Sequence, residues 1–124
     1  MRTTIKPTGA ELEVLQVLWK KGPSTVREVH NSLKATHSTG YTTVLKIMQI
    51  MHEKELLRRD ASSRAHVYSA SVGEEDTQGQ FVNEMVSKVF AGSTSQLVVR
   101  ALSEKSSKQE IEEIRAVLNR LEGK

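Results

Sequence analysis

The chain has no cysteine among its 124 residues, and only 4% of them are aromatic. The missing thiols exclude disulfides, thiolate metal sites and a cysteine nucleophile. The scarcity of rings means that any core must be built from Leu, Val, Ile and Met. No apolar run approaches the ~18 residues that a membrane span requires, and Met1-Arg2 leads into polar sequence, not an apolar signal core. A cytoplasmic protein is the default expectation. Phosphate-binding glycine loops and the G-x-S-x-G nucleophile turn are absent too. His30, His37, His52 and His66 lack the spacing of a metal site. Met48 and Met51 read as core residues, not a soft-metal site. Glu74-Glu75-Asp76 could be mistaken for paired catalytic carboxylates, but negative charge is also what a helix N-terminus favours. The expectation is a non-enzyme with no catalytic residue, no metal and no cofactor.

The overall net charge of +3 conceals an asymmetry. Residues 1–70 hold eleven Lys/Arg against six Asp/Glu, a net of +5, while residues 71–124 hold seven against nine, a net of −2. A basic half attracts a polyanion, because each phosphate contact releases condensed counterions. Charge alone also fits an ordinary fluctuation along a chain.

Local patterns supply the order of elements. Thr8 and Glu11 have the T-x-x-E spacing of a capping box, in which each side chain satisfies the other residue's backbone donor. Leu12, Leu15, Leu18 and Trp19 follow as an apolar stripe, and Gly22-Pro23 stop the helix. A second box at Thr25 and Glu28 opens a short helix carrying Val26, Val29 and Leu33. After the polar turn Thr36–Gly40, Tyr41 starts a third helix whose core stripe is Val44, Ile47, Met48 and Met51. Its opposite face carries Thr42, Thr43, Lys46, Gln49 and Glu53.

The periodicity then changes. Leu56–Asp60 and Arg64–Ser69 are short, the second alternates by two, and Ala61-Ser62-Ser63 between them reads as a turn, so a β-hairpin is predicted. Three helices followed by a hairpin is the order of a winged helix-turn-helix. Ser71–Gln80 reads as a polar exit from that unit. Beyond it, three helical stretches have wide apolar faces: Phe81, Val82, Met85, Val86, Val89 and Phe90; Leu97, Val98, Ala101 and Leu102; and, behind an S-x-x-E box at Ser107 and Glu110, Ile111, Ile114, Leu118 and Leu121. About 50 residues cannot hide so much apolar surface, and a second copy of the chain would cover it. The predicted fold is mainly α with a small β wing: an N-terminal winged helix-turn-helix over residues 1–72 and a C-terminal helical dimerisation segment over residues 73–124.

A winged helix-turn-helix places its third helix in the DNA major groove. Thr39, Thr42, Thr43 and Lys46 would present hydroxyls, methyls and a cation to phosphates and base edges. Arg58, Arg59 and Arg64 on the hairpin are suited to phosphates or an adjoining minor groove, although Arg58 and Arg59 also fit as surface strand residues flanking Glu53 and Glu55. Tyr68 is expected to pack the wing against the core. Phe81, Met85, Val89, Leu97, Leu102, Ile111, Ile114, Leu118 and Leu121 are the candidate dimerisation residues. Two other functions fit a winged helix: a protein-interaction module, and a regulator that senses a small ligand in a pocket.

Several ordered stretches carry a family resemblance. Ala10-Glu11-Leu12-Glu13-Val14-Leu15-Gln16-Val17-Leu18-Trp19 resembles the opening helix of the penicillinase-repressor family of winged-helix regulators (BlaI/MecI/CopY type). Thr42-Thr43-Val44-Leu45, Glu53–Arg59, Arg64–Tyr68, Phe90-Ala91-Gly92-Ser93 and Glu110–Ile114 continue the likeness over nearly the whole chain. The resemblance implies a homodimeric repressor that binds an inverted-repeat double-stranded DNA operator, often built on TACA/TGTA half-sites, in promoters of β-lactamase or related stress genes. It further implies a membrane-bound sensor metalloprotease as an indirect partner, whose signal leads to cleavage within the dimerisation domain. By position, Thr42, Thr43 and Lys46 match the recognition-helix contacts. Two departures stand out. Arg100-Ala101 occupies the place of the Asn-Phe pair cut in staphylococcal members, and the absence of cysteine excludes copper sensing through a C-terminal cysteine set.

Overall fold

The computed structural model describes residues 6–123. In chain order the elements are α1 (Gly9–Lys21), β1 (Ser24–Thr25), α2 (Val26–Leu33), α3 (Tyr41–Glu53), β2 (Leu57–Asp60), β3 (Val67–Ala70), α4 (Glu74–Lys88), α5 (Thr94–Lys105) and α6 (Lys108–Leu121). The chain divides into two compact units, residues 1–80 and 81–124, with α4 contributing to both. The first unit has the element order and the wing of a winged helix.

The capping signals act as their spacing predicts. The Thr8 hydroxyl accepts from the Glu11 backbone N–H at 3.2 Å, and the Glu11 carboxylate accepts from the Thr8 N–H at 3.0 Å. Thr25 and Glu28 repeat the arrangement at α2, and Ser107 and Glu110 repeat it at α6. Each box satisfies two of the N–H groups that a helix start leaves without partners. Helix α1 ends where Gly22 takes a φ of 88°, a conformation that costs a side-chain-bearing residue and that Pro23 then prevents from continuing as helix.

The buried face of α1 is rotated from the one expected. Glu11, Val14, Leu15 and Leu18 are buried, while Leu12 and Trp19 are only half-buried on its margin. Trp19 stays at the margin for a polar reason: its indole N–H donates to the Val72 carbonyl at 3.0 Å. A ring N–H needs a partner when it leaves water. The bond joins α1 to the segment that leaves the wing.

The core of the first unit consists of Val14, Leu15, Leu18, Val26, Val29, Val44, Met48, Met51, Leu56, Leu57 and Tyr68. It is aliphatic apart from Tyr68, as a chain poor in rings must make it. Ile47, placed in the core stripe by spacing, is half-buried against this cluster.

The sheet has three antiparallel strands in the order β1-β3-β2, one more strand than the predicted hairpin. Strand β1 is two residues long, too short for any periodicity to register, and it pairs Ser24 with Tyr68 and Thr25 with Val67. Strands β2 and β3 pair Leu57 with Ala70 and Arg59 with Tyr68. The second wing strand is therefore Val67–Ala70, not Arg64–Ser69, and Arg64-Ala65-His66 belong to the connection. The exit stretch Ser71–Gln80 is also corrected: it is helical from Glu74 onward, with three acidic residues in its first turn, where the helix dipole favours them. Helix α5 spans 12 residues, longer than its apolar pattern suggests, because it starts at a Ser93 cap whose hydroxyl accepts from the Gln96 N–H.

Candidate nucleic-acid interface

The surface of interest is built on α3. Its inner positions Val44, Met48 and Met51 are fully buried. That burial fixes the rotation of the helix and leaves Thr42, Thr43, Lys46, Gln49, Ile50 and Glu53 exposed. Thr42, Lys46, Gln49 and Glu53 follow one another at i, i+4, i+7 and i+11, so they share one face. Lys46 lies near the centre of that face. Thr39 differs from the other candidates: it is half-buried, and its carbonyl is 2.9 Å from His30 Nε2. It lies in the turn between α2 and α3 and helps to hold that turn through its carbonyl. Gln49 and Glu53 are on this face but outside the candidate set; of the two, Gln49 has the uncharged amide suited to base edges. The signal for it was helical spacing alone.

Helix α3 starts without the device used elsewhere. Its N-cap is Gly40, which has no side chain to accept from the first-turn N–H groups, and its first turn has no acidic residue. The turn before it is held by other means. His37 Nε2 lies 3.2 Å from Glu13 Oε2 on α1. The His30 ring meets Tyr41 edge to face at 6.0 Å between centroids, and the Arg27 guanidinium lies over the Tyr41 ring at 5.1 Å. Residues 27 and 41 are far apart in sequence and in different helices, so no local pattern reveals this contact.

The far end of α3 is tied to the start of α1. Lys54 Nζ donates to both carboxylate oxygens of Glu11, at 2.7 and 3.0 Å. The Glu11 side chain is 6% exposed and that of Lys54 29%. One carboxylate thus caps α1 and neutralises a cation at the end of α3. A buried charge is tolerated when its oxygens are all occupied in this way. The following residue, Glu55, has a φ of 67°, and Leu56 N–H reaches back to the Met51 carbonyl. This left-handed residue turns the chain into β2, and Ser71 Oγ donates to the Glu55 carbonyl at 2.5 Å from the segment after β3.

On the wing, strand alternation separates two arginines that are adjacent in sequence. Arg59 pairs with Tyr68, and Arg58 with Ser69. Side chains of paired residues share a face, so Arg59 emerges on the face that carries buried Leu57 and Tyr68, and Arg58 on the opposite one. Both are exposed, as is Arg64 in the connection. At the start of that connection, Asp60 Oδ1 accepts from the Ser62 N–H at 2.9 Å. Hydrogen bonds from the Ser62 side chain and backbone hold the Asp60 carboxyl below its ordinary pKa of 3.8, so the turn keeps its carboxylate acceptor further into acid than a free aspartate would. Tyr68 is 2% exposed and packs the wing onto the core, with its ring edge to face with His52.

Among the described residues, no group of three or more His, Cys, Asp or Glu is placed to hold a metal ion. No helix among them is long and apolar enough to cross a membrane. An open groove of about 400 Å³ lies on the second unit, lined by Phe90, Ser95, Gln96, Val99, Arg100 and Ser103.

Comparison with known proteins resolves what these features belong to. The model of the family described as penicillinase repressor matches residues 7–120. The chain belongs to the penicillinase repressor family. It is 31% identical over 114 residues to the transcriptional regulator BlaI of Mycobacterium tuberculosis, covering 90% of this chain and 82% of that one. It is 25% identical over 111 residues to the penicillinase repressor of Staphylococcus aureus, covering 89% and 88% of the two chains. The penicillinase repressor of Bacillus licheniformis is 26% identical over 110 residues, with 88% and 86% covered. The penicillinase repressor family is one of transcriptional repressors, not of enzymes. Its match spans α1 through nearly all of α6, so it covers most of both compact units.

Proposed function

We propose that this member of the family is a homodimeric transcriptional repressor that binds an inverted-repeat operator through the major groove. The regulated genes would be those for β-lactamase or related stress functions, by analogy with the relatives named penicillinase repressor. Residues 1–72 would form the DNA-binding domain and residues 73–124 the dimerisation domain. The observation that carries the first assignment is the outward face of α3. Thr42, Thr43 and Lys46 are exposed on a helix whose rotation is fixed by three fully buried residues. Their hydroxyls, methyls and cation match what base edges and phosphates offer. Arg58, Arg59 and Arg64 would add backbone contacts from the wing, and Thr39 would act mainly through the turn.

Dimerisation is supported by the second unit. Among the described residues of 81–124, no hydrophobic side chain is buried in the single chain. Of the nine candidate dimerisation residues, Met85, Val89, Ile111, Leu118 and Leu121 are exposed, and Phe81, Leu97, Leu102 and Ile114 are half-buried. A second copy would cover these faces, and two-fold symmetry of the protein implies two-fold symmetry of the operator. Half-site centres would then lie about 10–10.5 bp or a multiple apart. A membrane sensor protease would act as an indirect partner. Arg100-Ala101, at the position of the staphylococcal cut, lies within α5.

The test is selection from a random duplex pool followed by fluorescence anisotropy at several salt concentrations. A palindromic site should be enriched, and log affinity should fall linearly with log salt. Lys46→Glu should abolish operator binding while sedimentation still reports a dimer. Normal binding by that variant would mean that another face of α3 meets the DNA. Absence of any enriched site, with only weak charge-driven binding, would favour a protein-interaction module.

A further inference from the structure

We propose that Arg27 and Tyr41 together form a clasp for one DNA backbone phosphate, a sequence-independent anchor beside the base-reading face of α3. The inference rests on the DNA-binding reading above. Arg27 is the second residue of α2 and is exposed. Its guanidinium lies 5.1 Å from the centroid of the Tyr41 ring, and Tyr41 is the first residue of α3, 38% exposed. In a helix-turn-helix the first helix of the pair crosses the DNA backbone while the second enters the groove. Arg27 therefore sits on the element that meets phosphates, held against the element that meets bases.

The chemistry of stacking suits this role. A guanidinium over an aromatic face uses its π surface and keeps its five in-plane N–H donors free around the rim. Those donors match two oxygens of one phosphate. Among the described residues Arg27 forms no ion pair, and the adjacent Glu28 carboxylate is occupied by the Thr25 N–H at 2.8 Å. The ring that supports Arg27 is itself fixed. His30 meets it edge to face at an interplanar angle of 90°, and His30 Nε2 is bonded to the Thr39 carbonyl at 2.9 Å. Arg27 is thus preorganised over the start of α3, where a flexible surface arginine would have to be ordered on binding. His30 is a positioning residue in this arrangement.

The measurement is the salt dependence of binding to the selected operator and to a random duplex, for the full-length protein and for Arg27→Gln. Each lost phosphate contact lowers the slope of log affinity against log salt by about 0.9; a dimer with the substitution in both protomers loses two, so the slope should fall by about 1.8 and the fall in affinity between 50 and 200 mM salt should shrink about 12-fold. The loss should be equal on operator and random DNA, because a phosphate carries no sequence. Tyr41→Leu, which keeps the cation and removes its support, should weaken both duplexes in the same direction by a smaller factor. An unchanged slope for Arg27→Gln would overturn the clasp, and so would a loss confined to the operator. Wild-type affinity in Tyr41→Leu would remove the ring from it. If the unsubstituted protein itself shows no salt-dependent DNA binding, the DNA-binding reading falls, a result distinguishable from failure of the clasp alone.

Discussion

The two compact units solve the burial problem differently. Among the described residues of 1–80, eleven hydrophobic side chains are buried in one cluster fed by α1, α2, α3 and the sheet. Among the described residues of 81–124 none is buried, and nine large hydrophobics are exposed, from Val98 at 37% to Leu121 at 79%. Both units have good local helix signals, including a capping box at α1, α2 and α6. Local signals therefore do not explain the difference. The first unit has a sheet on which helices can close, and its Tyr68 and Leu57 complete the core. The second has only helices with broad apolar faces and too little chain to cover them. Under the proposed dimer, such a unit would gain its stability by association, and its folding and assembly would be coupled.

That contrast can be broken most severely at the second unit. Leu118→Asp puts a charge on the exposed apolar face of α6. It should convert the dimer to monomer in sedimentation at micromolar concentration. Operator affinity should then fall about 10²–10⁴-fold, the gain that linked binding sites provide. A dimer that survives this change would locate the interface elsewhere. Next in size, Met48→Ala should destabilise the first unit by about 2–5 kcal/mol, because a fully buried side chain leaves a cavity that relaxes only in part. Its denaturation midpoint should drop by the same amount at every protein concentration in the deletion 1–80, whereas any midpoint governed by the second unit should rise with concentration.

A smaller effect is expected at the Glu11–Lys54 pair. Lys54→Met leaves a carboxylate that is 6% exposed with only the Thr8 N–H as partner. Removing one partner of a fully buried pair costs about 3–5 kcal/mol, and the partial exposure of Lys54 brings the expectation down to about 2 kcal/mol. Glu11→Gln combined with Lys54→Met should recover part of the loss in urea denaturation. No recovery would mean that the pair contributes through packing of the lysine stem. Smallest of all, Glu55→Gly should stabilise the first unit by about 1 kcal/mol or less, by relieving the left-handed conformation at φ 67°. An unchanged or lower melting temperature would mean that unfolded-chain entropy outweighs that strain.

The readable parts of this protein are those whose cause is local. Thr8 and Glu11, Thr25 and Glu28, and Ser107 and Glu110 start helices because two side chains three residues apart can satisfy each other's backbone. Val44, Met48 and Met51 mark the inner side of α3 because helical spacing stacks them, and the outward Thr42, Thr43 and Lys46 follow from the same geometry. The less readable parts depend on neighbours distant in sequence. Leu12 and Trp19 looked like core, yet Glu11 and Val14 took the inner positions, because Lys54 neutralises Glu11 and Val72 accepts from Trp19. Strand β1 exists only because β3 offers it a free edge. Arg64 moved from strand to turn because pairing begins at Val67.

What the sequence by itself determined is the succession of helices, the wing, the basic front and acidic back, and the family to which they belong. These follow from periodicity, capping and charge, which act over a few residues or simply accumulate along the chain. Tertiary structure alone decided which face of α1 is buried, that β1 joins the wing as a third strand, and that Arg27 comes to rest over Tyr41. Such outcomes depend on how elements pack and pair, and a side chain's surroundings exist only once the distant parts of the chain have met.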